Sequence, residues 1–120
     1  MENKKNEQDR ASYNQLIIQK EDQMDELTIE KRKIGEAIQT LEEDLHRGFQ
    51  NVAMLNDEAA RFGNVENNRL QRHDEEQSRI FRQLLQESNE QIEIGYHVGK
   101  KKIGEEREAL YKKRGEVPWD

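Results

Sequence analysis

The sequence predicts an all-α protein, a long antiparallel two-helix hairpin with coiled-coil-like packing. Three observations predict this fold: a heptad repeat of apolar residues in the first half, a glycine-asparagine turn near the midpoint, and charge blocks that become complementary when the chain folds back there. Charged residues make up 38% of the 120 residues and hydrophobic residues 32%. That balance leaves no material for a thick globular core, but it suffices for a narrow apolar seam between two helices.

The first helix is predicted to span about residues 5–62. A 4-3 repeat that begins at Tyr13 continues without a slip to Phe62, and twelve of its fifteen positions are apolar. These positions are Tyr13, Ile17, Lys20, Met24, Leu27, Lys31, Ile34, Ile38, Leu41, Leu45, Gly48, Val52, Leu55, Ala59 and Phe62. Because Gly48 keeps the register, we expect it inside the helix, where glycine costs about 1 kcal/mol relative to alanine.

The turn is predicted at residues 63–64. Glycine, here Gly63, suits the left-handed position that follows a helix, and asparagine, here Asn64, is a favoured N-cap for the next helix. A second helix is predicted over about residues 65–114, followed by an extended tail at 115–120, with Gly115 and Pro118 as stop signals. Residues 1–120 are thus predicted to form a single helical hairpin domain.

The charges support this folding back. With the turn near residue 63, residues whose numbers add up to about 126 should face each other. Four blocks then have opposite signs: acidic 21–26 with basic 100–102, basic 31–33 with acidic Glu87, Glu90 and Glu93, acidic 42–44 with Arg79 and Arg82, and acidic 57–58 with Arg69 and Arg72. Each exposed pair contributes little, but together they favour this register over a parallel dimer.

The second helix carries two apolar strips. The strip that includes Leu85 and Ile103 faces the first helix, and the other lies roughly 120° away around the helix. A two-helix hairpin cannot bury both strips, so we predict a partner-binding surface on the second one. Its predicted residues are Ile80, Leu84, Ile94, Gly95 and Val98, together with Trp119 of the tail. For Trp119, folding back on the end of the hairpin is the alternative; its residue type is a frequent interface anchor.

No pattern in the sequence indicates catalysis, a metal site or a cofactor, so we expect a protein that is not an enzyme. The chain has no cysteine, and His46, His73 and His97 are not spaced as ligands on one helical face. The net charge of −6 argues against nucleic acid as a partner. No apolar run approaches the roughly 20 residues of a membrane span, and the first residues lack the apolar region of a signal peptide, so a cytoplasmic location without membrane insertion is expected.

The two long polar helices, the Gly-Asn turn and the C-terminal Val117-Pro118-Trp119 resemble one family of small bacterial proteins. These are the LXG-associated α-helical proteins, here of the second class, WXG100-like hairpins of Gram-positive type VII secretion systems. The resemblance implies a chaperone or targeting factor that binds the helical N-terminal LXG domain of a toxin, together with a sister helical protein, and so promotes export of the toxin.

The chain departs from this pattern in two places. Its turn reads Arg61-Phe62-Gly63-Asn64 where the wider WXG100 group has Trp-x-Gly. The aromatic-x-x-x-acid export signal is missing after the second helix, since Tyr111 is followed four residues later by Gly115. Co-export with the toxin would then depend on a signal supplied by the toxin or the sister protein.

Two other functions remain open from the residues themselves. A self-assembling structural coiled coil would use the second strip of helix two for a homodimer. A regulator that binds nucleic acid would use the lysine runs at 100–102 and 112–114, and its binding would be lost at moderate salt.

Overall fold

A computed structural model of the chain describes residues 2–63 and 66–119, the side chains of Glu2, Glu66 and Asn67 excepted. Two helices account for nearly all of these residues: α1, Glu2–Arg61, and α2, Glu66–Glu116. No strand occurs in the described ranges. The predicted all-α helical hairpin is confirmed. Neither helix, over its described residues, contains a stretch long and apolar enough to cross a membrane.

The helix ends follow the local backbone chemistry. Gly63 has a φ of +82°, the left-handed conformation predicted for the residue that ends α1. The N–H groups of Phe62 and Gly63 donate to the carbonyls of Ala59 and Ala60, each at 3.1 Å, so the last turn of α1 is tightened. The predicted N-cap, Asn64, lies outside the described residues, as does Val65, where the second helix was predicted to begin.

The predicted outer ends of both helices differ by a few residues from the observed ones. The first helix begins at Glu2 instead of residue 5. The second passes through Gly115 and ends at Glu116, so Gly115 is not the stop signal and the extended tail is shorter than predicted. Pro118 explains the end, because a proline disfavours helical conformation in the residue before it. The N–H of Val117 still donates to the carbonyl of Arg114 at 3.2 Å.

The chain divides into two compact units, each holding a segment of both helices. The terminal unit comprises Met1–Arg32 and Glu93–Asp120, and the turn unit comprises Lys33–Ile92. Cross-helix contacts in each unit join a residue early in α1 to one late in α2, or the reverse, as antiparallel packing requires. Examples are Lys20 with Glu106 in the terminal unit and Asn56 with Asp74 in the turn unit.

The terminal unit is packed along the predicted seam. Ile17, only 4% exposed, is its buried residue, and half-buried seam residues follow the 4-3 repeat on either side of it. They are Tyr13, Lys20, Met24, Leu27 and Lys31 on α1, facing Tyr96, Gly99, Ile103, Glu106 and Leu110 on α2. A Cβ on Gly99 would lie 3.1 Å from Cδ2 of Leu27, so the small residue lets the helices approach closely here.

The turn unit keeps the predicted seam at Ile38, Leu45 and Ala59 but departs from it elsewhere, so the predicted unbroken register is wrong there. Seam positions Ile34, Leu41, Leu55 and Phe62 are exposed, Phe62 to 90%. The half-buried residues of α1 are Gly35, Ile38, Leu45, Phe49, Asn56 and Ala59. A straight α-helix drifts about 20° per heptad against a strict seven-residue repeat. Drift of this sign favours the residue after a seam position, as at Gly35, Phe49 and Asn56, while Ala59 stays on the seam.

Candidate partner-binding surfaces

Ion pairs occupy the seam of the terminal unit and fix its register. Lys20 Nζ lies 2.5 Å from Glu106 Oε2, and Lys31 Nζ lies 2.8 Å from Glu93 Oε1. The hydrogen bond from Lys20 lowers the pKa of Glu106 below its ordinary value, and the one from Lys31 does the same for the pKa of Glu93. The predicted pairing of the basic 31–33 block with Glu93 is thereby confirmed for Lys31.

Polar contacts around Tyr96 and Tyr111 close the same seam. The hydroxyls of Thr28 and Tyr96 are 3.3 Å apart, and Lys31 Nζ lies 4.4 Å from the centroid of the Tyr96 ring. The hydroxyl of Tyr111 donates to Glu21 Oε1 at 3.1 Å. These partners hold the aromatic side chains between the helices, so they are structural contacts of the helix pair.

The predicted strip falls partly in each unit. In the terminal unit, Ile94, Gly95 and Val98 are exposed, while Tyr96 and Gly99 of the same helix face α1. Ile94 and Val98 therefore lie on the side of α2 away from its helical partner, whereas Gly95, one turn before Gly99, lies at the edge of the helix contact. A binding partner has access to them, and their partner-binding role stays a prediction.

In the turn unit the strip contributes Ile80 and Leu84. Both are exposed, Leu84 to 50%, whereas their neighbour Phe81 reaches α1. The ring centroids of Phe81 and Phe49 are 6.0 Å apart with a tilt of 42°, a favourable aromatic arrangement. As in the terminal unit, the two strip residues lie beside the helix contact and not within it.

A groove runs along one side of the turn unit. It has a volume of about 340 Å³, and a second cavity of about 230 Å³ adjoins it through shared residues. Its walls include Glu42, Leu45, His46 and Phe49 of α1, and Ser78, Phe81, Arg82 and Leu85 of α2. Leucine and phenylalanine side chains form much of the walls of this groove, with charged and amide side chains among them.

The exposed residues of the predicted α1 seam lie on the other side of the turn unit. Taking Leu45 as zero and about 100° per residue, the groove residues Glu42 and His46 lie at about +60° and +100° around α1. Leu41 and Leu55 lie at about −40° and −80°. The exposed apolar row of α1 therefore faces away from the groove.

Helix α2 also places its exposed leucines on the side away from the groove. Taking Ser78 as zero, Arg82 and Glu75, which line the cavities, lie at about +40° and +60°. Leu70 and Leu84 lie at about −80° and −120°, and both are half exposed. The two helices thus place apolar side chains on one common side of the unit. We call this set the apolar face: Ile34, Leu41, Leu55, Leu70 and Leu84.

Sequence reasoning found only Leu84 of the apolar face as a surface residue. It assigned Ile34, Leu41 and Leu55 to the seam because they fit a strict heptad repeat. One signal was present in the sequence: Phe49 and Asn56 follow directly after the seam positions Gly48 and Leu55. In the structure Asn56 donates to Asp74 Oδ2 at 2.9 Å across the seam. A polar pair at that place indicates that α1 has turned the leucine outward.

The C-terminal tail folds back on the start of α1. Arg10 Nη1 donates to the carbonyl of Pro118 at 2.6 Å, and the Arg10 guanidinium carbon lies 4.2 Å from the centroid of the Trp119 ring. The fold-back alternative is therefore realised, yet Trp119 stays 83% exposed. One ring face has a cationic neighbour and most of the side chain remains accessible to a partner.

Metal-ligating groups do not converge in the described part of the chain. No cluster of three or more His, Asp or Glu side chains is placed there to hold an ion. His97 Nε2 lies 3.5 Å from Glu93 Oε2, one helical turn away, as a surface pair. Comparison with known proteins adds no relative: no family model, no curated protein and no solved structure matches this chain.

Proposed function

We propose that the protein is a non-enzymatic helical binding partner, a targeting factor or chaperone for the helical N-terminal LXG domain of a type VII secretion toxin. It acts together with a sister helical protein. One observation carries the binding role: among the described residues, sixteen large apolar side chains are exposed and only Ile17 is a buried apolar core residue. Exposed apolar area of this extent is typical of surfaces that another protein covers.

The spacing of the exposed residues favours helical partners. Ile80 and Leu84, and separately Ile94 and Val98, are four residues apart on α2, so each pair forms a ridge of one helical turn. Such ridges pack into the grooves of a neighbouring helix. An LXG domain and a sister hairpin both offer helices, and the resemblance of the turn and of the Val117-Pro118-Trp119 tail supplies that choice of partners.

Co-expression with the products of neighbouring genes tests this function. We expect a stable complex that contains the N-terminal domain of a toxin, with its mass and stoichiometry established by light scattering. A protein that purifies without any partner, beside a toxin that folds and is exported without it, would contradict the targeting role.

Substitutions on the strip test the surface. Val98→Asp should abolish the complex, because it places a carboxylate at a contact that is dry when bound. Gln86→Asp is the matched control, since it adds the same carboxylate at an exposed position of α2 outside the strip. Circular dichroism should show unchanged helicity for both variants. Equal binding by the two variants would show that the strip is not the contact.

A further inference from the structure

We infer that a second copy of this chain covers the apolar face of the turn unit, with two turn units packed antiparallel about a two-fold axis. The inference concerns the protein alone. It shares Leu84 with the predicted partner strip and leaves the Ile94–Val98 ridge of the terminal unit for the toxin domain and the sister protein. It rests on the pattern of apolar residues, the pattern of charges, the register within the unit and the size of the face.

The apolar residues of α1 are self-complementary about a point between residues 44 and 45. If α1 meets its own copy antiparallel at that centre, Ile34 lies opposite Leu55 of the second copy, and Leu41 lies opposite Gly48. A leucine facing a glycine lets the two helices approach closely. All four residues are exposed in the single chain. An isologous interface requires this kind of reciprocal match.

The charges of α1 match about a point between residues 45 and 46, one residue from the centre of the apolar match. Lys33 lies opposite Glu58 of the second copy, and Arg47 lies opposite Asp44. Within one chain Arg47 Nη2 is 2.5 Å from Asp44 Oδ1, so the second copy extends this pair into a cluster of four alternating charges. Opposite charges around an apolar contact favour this register and disfavour shifted ones.

Helix α2 agrees with this axis to within about 2 Å along the helix, or between one and two residues at 1.5 Å each. In the turn unit the residue numbers of the contacting pairs Phe49–Phe81 and Asn56–Asp74 both add up to 130. Residue 45 of α1 is therefore level with residue 85 of α2, within one residue of Leu84. A two-fold axis at that height places Leu84 against Leu84 of the second copy. The exposed leucine at the centre of the α2 row thus meets its own equivalent.

The face is large enough for a stable dimer. The turn unit holds roughly 28 residues of each helix, a length of about 42 Å at 1.5 Å per residue. Two packed helices present a width of about 20 Å, so each copy covers on the order of 800 Å². Specific interfaces bury about 800 Å² on each partner.

Measuring the mass of the purified full chain at several concentrations tests the inference first. We expect a dimer of twice 14.3 kDa by sedimentation or light scattering. Even a weak specific dimer, with a dissociation constant of tens of micromolar, should form at about 100 μM. A protein that stays monomeric at that concentration would overturn the inference.

A charge swap tests the register. Lys33→Glu or Glu58→Lys replaces two attractions by two repulsions in a symmetric dimer, so each should raise the dissociation constant about ten-fold. The double variant should restore dimerisation to within about three-fold of the original chain. Since these residues are about 37 Å apart on one helix, rescue comes from a second copy and not from contact within the chain. A dimer that ignores both single changes uses another face, which would refute the inference.

A cysteine at the centre tests the axis. The chain has no cysteine, so Leu84→Cys introduces the single thiol. A short bis-maleimide should join two copies through it, whereas Gln86→Cys, exposed on another side of α2, should give little covalent dimer at the same concentration. Equal cross-linking at both positions would refute the proposed axis. These measurements need no toxin, so their failure leaves the co-purification result to decide the proposed function separately.

Discussion

The two units use the same pair of helices but differ in how fully they cover their own apolar side chains. In the terminal unit Ile17 is buried and lysine-carboxylate pairs bridge the seam. Of the sixteen large apolar side chains exposed among the described residues, ten belong to the turn unit and six to the terminal unit. The same two helices therefore form a well-covered pair in the terminal unit and a more exposed pair in the turn unit.

The cause lies in what α2 offers to α1. In the terminal unit it presents Tyr96, Ile103 and Leu110 to the seam. In the turn unit it presents Leu85 and Ile92 but, nearest the turn, the polar residues Gln71 and Asp74. Polar side chains cannot bury leucines, so α1 turns Asn56 toward Asp74 and leaves Leu55 outside. The comparison teaches that α1 and α2 cover their apolar seam more fully in the terminal unit and leave more apolar side chains exposed in the turn unit.

The largest expected effect is a difference in stability between variants at two adjacent isoleucines of the terminal unit. Ile17→Asp should lower the free energy of unfolding by about 3 kcal/mol or more, since it buries a carboxylate without a partner. Ile18→Asp, at a position that is 54% exposed, should change it by no more than about 0.5 kcal/mol. Urea unfolding followed by circular dichroism measures both. Similar losses for the two variants would show that the terminal unit has no closed seam.

A smaller effect is expected from making the seam of the turn unit apolar. Asn56→Leu combined with Asp74→Leu should raise the free energy of unfolding by about 1 kcal/mol, because replacing both members of a half-buried polar pair removes their desolvation. Asn56→Leu alone should instead lower it by about 1 kcal/mol, since Asp74 loses its amide donor. If the double variant is the less stable one, the pair stabilises the unit and our account of the open seam is wrong.

Sequence reasoning predicted the terminal unit better than the turn unit for a physical reason. The 4-3 repeat from Tyr13 to Lys31 coincides with the packed row, and Gly63 marks the turn, because both signals are local. The shift at Phe49 was not predicted, since it depends on whether the helices coil around each other or stay straight over many turns. That property belongs to the pair of helices and is not encoded in any short stretch of α1.

For the same reason, only part of the candidate surfaces could be predicted from the sequence. Positions around a single helix follow from its residues, so the exposed strip with Leu84 and Val98 was predictable from α2 alone. The exposure of Ile34, Leu41 and Leu55 could be predicted only by knowing which row of α1 residues packs against α2. The exposure of Leu55, for example, follows from Gln71 and Asp74 of α2, which belong to a different helix of the sequence.

The smallest expected effect is a pH dependence confined to the terminal unit. The pKa values of Glu93 and Glu106 are lowered in the folded chain by the hydrogen bonds from Lys31 and Lys20. A lowered folded pKa means that the unfolded chain binds protons more readily, so the stabilisation is present above the unfolded pKa of about 4.3 and is lost as the pH falls through the lower folded value. Unfolding measured between about pH 5 and pH 2.5 should show this loss, and the double variant Glu93→Gln with Glu106→Gln should show a shallower one.

Hydrogen exchange should place the early acid loosening at the amides around Lys20 and Lys31, because the turn unit lacks these two pairs. Loosening that begins around Phe49 instead would mean that the ion pairs do not fix the terminal seam, and the contrast between the two units would then rest on its apolar contacts alone.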